Sequence, residues 1–127
     1  MGFGIKRRVR HSYQRLRYGF IPPGYDGMML PIQCQFLYDT VMGYTGEKKL
    51  IVEIGSFRGC STTWLAVAGI RNGFQGLIAI DLFTGTPSWN QTFDTYSDFV
   101  ARMRLTQLRQ FGRADHEFGP DFGVMRC

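Results

Sequence analysis

At 127 residues, 44% of them apolar and 20% charged, the chain has the size and balance of one globular domain, and no apolar run reaches the ~18 residues of a membrane span. The net charge of +5 sits at one end: residues 1–20 hold six cations (Lys6, Arg7, Arg8, Arg10, Arg15, Arg17) and no acid, while the other 107 residues carry nine cations and ten acids. This excludes a basic domain face of the kind nucleic-acid proteins use, and the odd set Cys34, Cys60 and Cys127, with no CxxC or metal-ligand spacing, excludes a disulfide scaffold.

Residues 1–31 read as a basic arm followed by a Gly/Pro-rich linker, Ile21-Pro22-Pro23-Gly24-Tyr25-Asp26-Gly27. No apolar stretch of secretory type follows the basic start, so a reducing, cytoplasmic setting is expected. The arm has two readings. It is a solvated tail, or it uses its charge with Tyr13, Tyr18 and Phe20 to touch a membrane surface or nucleic acid.

Residues 32–111 carry the periodic signal of a partial α/β domain. Ile32, Phe36, Leu37, Val41 and Tyr44 recur at a spacing of 3–4, which predicts an amphipathic helix over 32–45 ending at Gly43 and Gly46. Leu50-Ile51-Val52-Glu53-Ile54 is a short β-branched run, the pattern of a strand buried on both faces. A glycine turn, Gly55-Ser56-Phe57-Arg58-Gly59, leads into Cys60 to Ile70, a helix apolar almost all round that Ser61 or Thr62 can cap and Asn72-Gly73 can close. Leu77 to Asp81 is a second buried strand, completing a βαβ unit. After the loop 82–91, a helix from Thr92 to Gln110 is predicted, with Phe93, Tyr96, Val100, Met103 and Leu108 on one face. Residues 112–127 read as an irregular tail in which Phe122 to Met125 is a faint strand signal.

The turn after the first strand of a parallel sheet is the usual ligand position. Here it lacks both phosphate fingerprints. GxGxxG from Gly55 would need glycine at positions 57 and 60, where Phe57 and Cys60 stand. A P-loop needs four residues between its glycines and then Lys-Ser/Thr; three intervene here and Cys60 follows. The pattern present is Glu-x-Gly-x-x-x-Gly, from Glu53 to Gly59.

Ile51-Val52-Glu53-Ile54-Gly55-Ser56-Phe57-Arg58-Gly59-Cys60-Ser61-Thr62 resembles the first motif of class I S-adenosylmethionine-dependent methyltransferases. It is similar in particular to a small-molecule and glycan subgroup with macrocin-type O-methyltransferases and cephalosporin-hydroxylase-like proteins. Ala79-Ile80-Asp81-Leu82-Phe83-Thr84-Gly85 resembles the second motif of that group, and the likeness runs from about Leu37 to Leu105. The resemblance implies a Rossmann-like fold, S-adenosylmethionine as methyl donor, and a small-molecule or sugar hydroxyl as acceptor. It also implies a cofactor shell of Glu53, Gly55, Ser56, Phe57, Gly59, Ser61, Asp81 and Leu82. S-adenosylmethionine has no phosphate, so its turn needs close backbone approach more than a nest of amides. Asp81, 26 positions after Gly55, is near the spacing of ~20 typical of a ribose-binding acid.

Plainer roles stay open for the same residues. Glu53 could pair with a cation inside its strand, Asp81 could be a solvated cap, and Ser61 a helix cap. Cys60 reads as a small buried filler, and Trp64 as core. Phe83 and Trp89 could flank an adenine or pack as a lid. No catalytic base is assigned, His11 and His116 lying in the arm and tail. No metal ligands are located, although the family often uses a divalent metal.

Two strands are fewer than the family's sheet needs, so the expectation is the N-terminal half of a methyltransferase, ended or frame-shifted near residue 106. The alternative is a non-catalytic module that binds a partner or completes its sheet as a homo-oligomer, since an exposed sheet edge favours association.

Overall fold

The computed structural model describes residues 17–18, 28–85, 94–110 and 122–126, with 105–110 and 122–126 as backbone alone. The order is helix α1 (Pro31–Gly43), strand β1 (Leu50–Ile54), helix α2 (Cys60–Arg71), strand β2 (Gly76–Asp81), helix α3 (Tyr96–Gln110) and strand β3 (Phe122–Arg126). The strands form one parallel sheet in the order β1-β2-β3. Ile51 stands opposite Leu77 and Glu53 opposite Ala79, while Asp81 pairs with Arg126 at the carboxyl end of the sheet.

Strand β3 falls on the faint signal at Phe122–Met125 within the segment read as an irregular tail, and it adds a third strand to the two that are clear in the sequence. Phe122-Gly123-Val124-Met125-Arg126 has one β-branched residue and a glycine, so its own propensity is weak. Its extended form is stabilised by the ladder along β2, from Leu77–Phe122 to Asp81–Arg126. Strand formation of this kind depends on neighbours more than on composition.

Helix α2 is buried from Thr62 to Gly69 because it lies between two packed layers. On one side Leu65 and Ala66 join Leu77 and Ala79 of the sheet, Phe99 and Met103 of α3, and Phe83. On the other, Trp64, Val67 and Ala68 meet Cys34 and Tyr38 of α1 and Tyr18 from the arm. The Tyr18, Tyr38 and Trp64 rings meet edge to face, with centroids 5.0–6.1 Å apart. That arrangement suits the quadrupoles of aromatic rings. Arg71, at the end of α2, donates to the Tyr38 hydroxyl and the Tyr18 carbonyl.

Tyr18 is therefore 4% exposed core and not a surface-binding aromatic, so this part of the arm is docked. Tyr13 and Phe20 lie outside the described residues.

The helical spacing in α1 is real, and Leu37 and Val41 pack on the core as expected, but the buried stripe is shifted to one side of the expected one. Cys34 and Tyr38 face α2, whereas Ile32 and Phe36 are 66% and 69% exposed. The helix bears apolar groups on both sides, and packing on Trp64 and Ala68 selects the stripe with Cys34 and Tyr38. Pro31 begins it, and the side-chain amide of Asn72, just after α2, donates to the Val41 and Tyr44 carbonyls at its end. A second correction concerns β1. Glu53 is buried and Ile51 half-buried, but Leu50, Val52 and Ile54 are exposed, Ile54 by 83%. Both α2 and α3 pack on the Ile51–Glu53 side, and no described element covers the other face.

Helix α3 starts at Tyr96, later than the predicted Thr92. The Asp94 carboxylate accepts the Tyr96 amide at 2.9 Å and the Ser97 hydroxyl at 2.9 Å, terminating the loop there. The start of α2 is also not as expected. Its N-cap is Gly59, in left-handed backbone (φ 85°), and neither Ser61 nor Thr62 caps it. A β-carbon at Gly59 would lie 2.9 Å from the Phe99 ring. Gly59→Ala is expected to destabilise the fold by ~2 kcal/mol, combining the left-handed backbone cost with crowding of α3. Urea unfolding measures this, and a midpoint equal to the parent's would contradict the packing described.

Candidate functional site

The carboxyl ends of β1 and β2 lie side by side, and the turns that leave them are joined through one side chain. Asp81, the last residue of β2, accepts the Phe57 amide on Oδ2 at 2.8 Å and the Phe83 amide on Oδ1 at 2.7 Å. Both aromatic residues have positive φ, 48° and 57°. Bulky residues rarely adopt that conformation, and where they do the surroundings must hold them. Here a single carboxylate holds both. The Gly55 amide donates to the Ile80 carbonyl at 2.8 Å, extending the ladder one step before the chain turns.

Glu53 stands beneath the same turn. Its carboxylate accepts hydrogen bonds from the hydroxyls of Ser56 (2.9 Å), Ser61 and Thr62. Three hydroxyls satisfy an acid that is only 9% exposed, as burial of a charge requires. Among the described residues no salt bridge reaches Glu53, so the cation-pair reading is replaced by a hydroxyl cradle. Ser61 and Thr62 serve this carboxylate in place of the helix end.

A cavity of about 150 Å³ opens beside the turn, lined by Met28, Met29, Gly55, Ser56, Phe57, Arg58, Cys60 and Ser61. At Gly55 (φ +87°) a β-carbon would meet nothing within 4 Å, so the backbone there is open to a ligand's close approach. The Arg58 guanidinium lies over the Phe57 ring at 5.2 Å, and its Nε is 3.2 Å from Asp98 of α3.

Of the expected shell, Gly55, Ser56, Phe57 and Ser61 line this cavity, Glu53 lies behind it, and Gly59 starts the helix beside it. Asp81 ties its edge to β2, and Leu82, 51% exposed, follows at the strand's end. Phe83 does not flank a ligand: it is fully buried against Tyr96 and Phe99, with centroids 5.3 and 5.1 Å away. Trp89, His11 and His116 lie outside the described residues. Sequence reasoning missed Thr62 as a Glu53 partner and Met28, Met29 and Arg58 as cavity wall. The signal for Thr62 was present, since Ser61-Thr62-Thr63 is a hydroxyl run opening an apolar helix one turn beyond a buried acid.

Among the described residues no group of three or more His, Cys, Asp or Glu could hold a metal ion, and no helix is long and apolar enough to cross a membrane. The chain matches no protein-family model, and no curated protein matches it.

Proposed function

We propose that the chain binds S-adenosylmethionine at the carboxyl ends of β1 and β2 and belongs to a methyl-transfer system of the class I, Rossmann-like kind. The observation that carries this is Asp81, whose carboxylate joins the loop after β2 to the glycine turn at Phe57, a residue of the cavity wall. Each of its oxygens accepts one amide and keeps lone-pair capacity for a ribose hydroxyl. The residues fit the cofactor. Gly55 admits close approach to the methionine end, Ser56 and Ser61 offer hydroxyls there, and Asp81 and Leu82 stand where the nucleoside end would run. A phosphate ligand is less well served, because neither phosphate fingerprint is present.

When bound, S-adenosylmethionine supplies an electrophilic methyl group on its sulfonium. The protein's share is to hold the donor and keep the turn rigid, since alignment of donor and acceptor supplies much of such a rate. A small-molecule or sugar hydroxyl as acceptor, and a cytoplasmic location, belong to the same proposal. They rest on the motif resemblance and the free thiols Cys34 and Cys60. The test is a thermal melt with S-adenosylhomocysteine, NAD and ATP in parallel. Stabilisation by the first alone is expected, and a response to the nucleotides alone would refute the proposal.

A second reading is favoured by the open face of β1. Leu50, Val52 and Ile54 form an apolar row on an edge strand, and such rows mark interaction surfaces. In this reading the chain is a binding module whose sheet is covered by a second copy. The parent then sediments as a dimer or larger and Ile54→Lys as a monomer, with stability changed by less than ~0.5 kcal/mol because the site is exposed. A monomeric parent removes this reading.

A further inference from the structure

Two cysteines from different elements meet behind the cavity. Cys34 is the fourth residue of α1 and Cys60 is the first residue of α2, and their sulfurs are 3.8 Å apart. Both are reduced and buried, but they are not equivalent. Cys34 is wholly enclosed, whereas Cys60 forms part of the cavity wall with Phe57, Arg58 and Ser61. A small reagent entering the cavity therefore meets Cys60 first and finds Cys34 directly behind it.

We infer that Cys34 and Cys60 form a redox-active dithiol, in which Cys60 reacts with a hydroperoxide reaching the cavity and Cys34 resolves the product to a disulfide. The inference rests on the positions of the two sulfurs and holds whatever ligand the cavity takes.

The chemistry balances with the peroxide as oxidant. The Cys60 sulfur attacks one peroxide oxygen, the O–O bond breaks, and the departing oxygen takes a proton. Cys60 is left as a sulfenic acid. The Cys34 sulfur then attacks the Cys60 sulfur, the S–S bond forms, and the S–O bond breaks. Hydroxide leaves with the Cys34 proton as water. Two thiols lose two electrons in all, and one hydroperoxide is reduced to water and an alcohol, or to two waters from hydrogen peroxide.

The environment sorts the two roles. The hydrogen bond with Cys60, burial, and the negative charges at Cys60 and Glu53 push the Cys34 thiol up, so its proton stays in place until the second step. Cys60 stands at the N-terminal end of a twelve-residue helix, where the backbone dipoles favour a thiolate. Closing the bond draws the first turn of α2 toward α1. It thereby alters the wall that carries Ser61, and with it one of the hydroxyls held by Glu53.

The test uses the full chain and hydrogen peroxide, followed by alkylation in denaturant and a non-reducing tryptic map. Trypsin cuts after Arg17, Lys48, Arg58, Arg71 and Arg126, so the three cysteines fall on separate peptides. The expected result is a linked pair, 18–48 with 59–71, lighter than the two reduced peptides by two hydrogens and separated by dithiothreitol. In Cys34→Ser the linked pair is lost, and Cys60 is instead trapped by dimedone as a sulfenic acid. Recovery of both parent peptides as alkylated thiols would overturn the inference, as would linkage of Cys60 to Cys127 only. The parent map decides the matter even if the variant folds poorly.

Discussion

Glu53→Ala is expected to lower stability by ~3 kcal/mol, and Glu53→Gln by ~1 kcal/mol. The alanine variant removes the acceptor of three hydroxyls at once. Thr62 is fully buried and Ser56, at the cavity wall, is 2% exposed, so neither hydroxyl is readily taken up by water, while Ser61 is half-buried and can turn toward the cavity. A buried hydroxyl stranded in this way costs about 1–3 kcal/mol, so two of them set the size of the effect. Relief from holding a carboxylate in an apolar strand offsets part of it. Glutamine keeps the shape and one acceptor oxygen, and its amide can donate to a hydroxyl that rotates to accept. Urea unfolding separates the two variants: both midpoints should fall, alanine's further, with the slope unchanged. Equal losses would mean that the carboxylate's volume, not its hydrogen bonds, is what the turn needs.

The elements with a continuous β-branched run or helical periodicity and clear punctuation were legible in the residues themselves. Leu50–Ile54 is a strand with the expected bounds, and the Asn72-Gly73 stop of α2 is found as predicted, Gly73 having φ 79°. What was not legible depended on partners distant in sequence. The stripe of α1 that is buried follows from Trp64, 30 positions after Cys34. Strand β3 follows from the open edge of β2, and the burial of Tyr18 from a slot between Tyr38 and Trp64. In the site, the glycines and the two acids could be picked out by type and spacing. Their partners could not. Nothing local to Asp81 says that both its oxygens reach backbone amides, one of them 24 positions away at Phe57. Nor does anything local to Cys34 announce Cys60. Local pattern identifies the candidate side chains, and tertiary packing decides whether each faces a ligand, a backbone amide or another side chain.

Asp81→Ala is expected to have two separable effects. The first is on the protein alone. Two amides lose a charged acceptor, and hydrogen bonds to charged groups contribute about 1.5–3 kcal/mol each. Asp81 is half-buried and the Phe57 amide borders a cavity, so water replaces part of the loss. A fall of ~2–3 kcal/mol is expected, accompanied by relaxation of the positive φ at Phe57 and Phe83. The second effect is on the ligand. S-adenosylhomocysteine at about a hundred times its dissociation constant should add ~2.7 kcal/mol to the parent, and none to a variant without the ribose acceptor. Asp81→Asn distinguishes the two. Its amide oxygen can still accept from one backbone N–H, so the fold is expected to recover in part. It offers one acceptor where a vicinal diol needs two, so ligand stabilisation should stay well below the parent's. A variant that unfolds early yet gains the full ligand increment would assign Asp81 to the turns alone and move the nucleoside contact elsewhere. A variant as stable as the parent that has lost the increment would make Asp81 a ligand contact whose backbone bonds matter little. The two amide bonds on one carboxylate lead us to expect both losses together in Asp81→Ala, with the asparagine variant recovering the first more than the second.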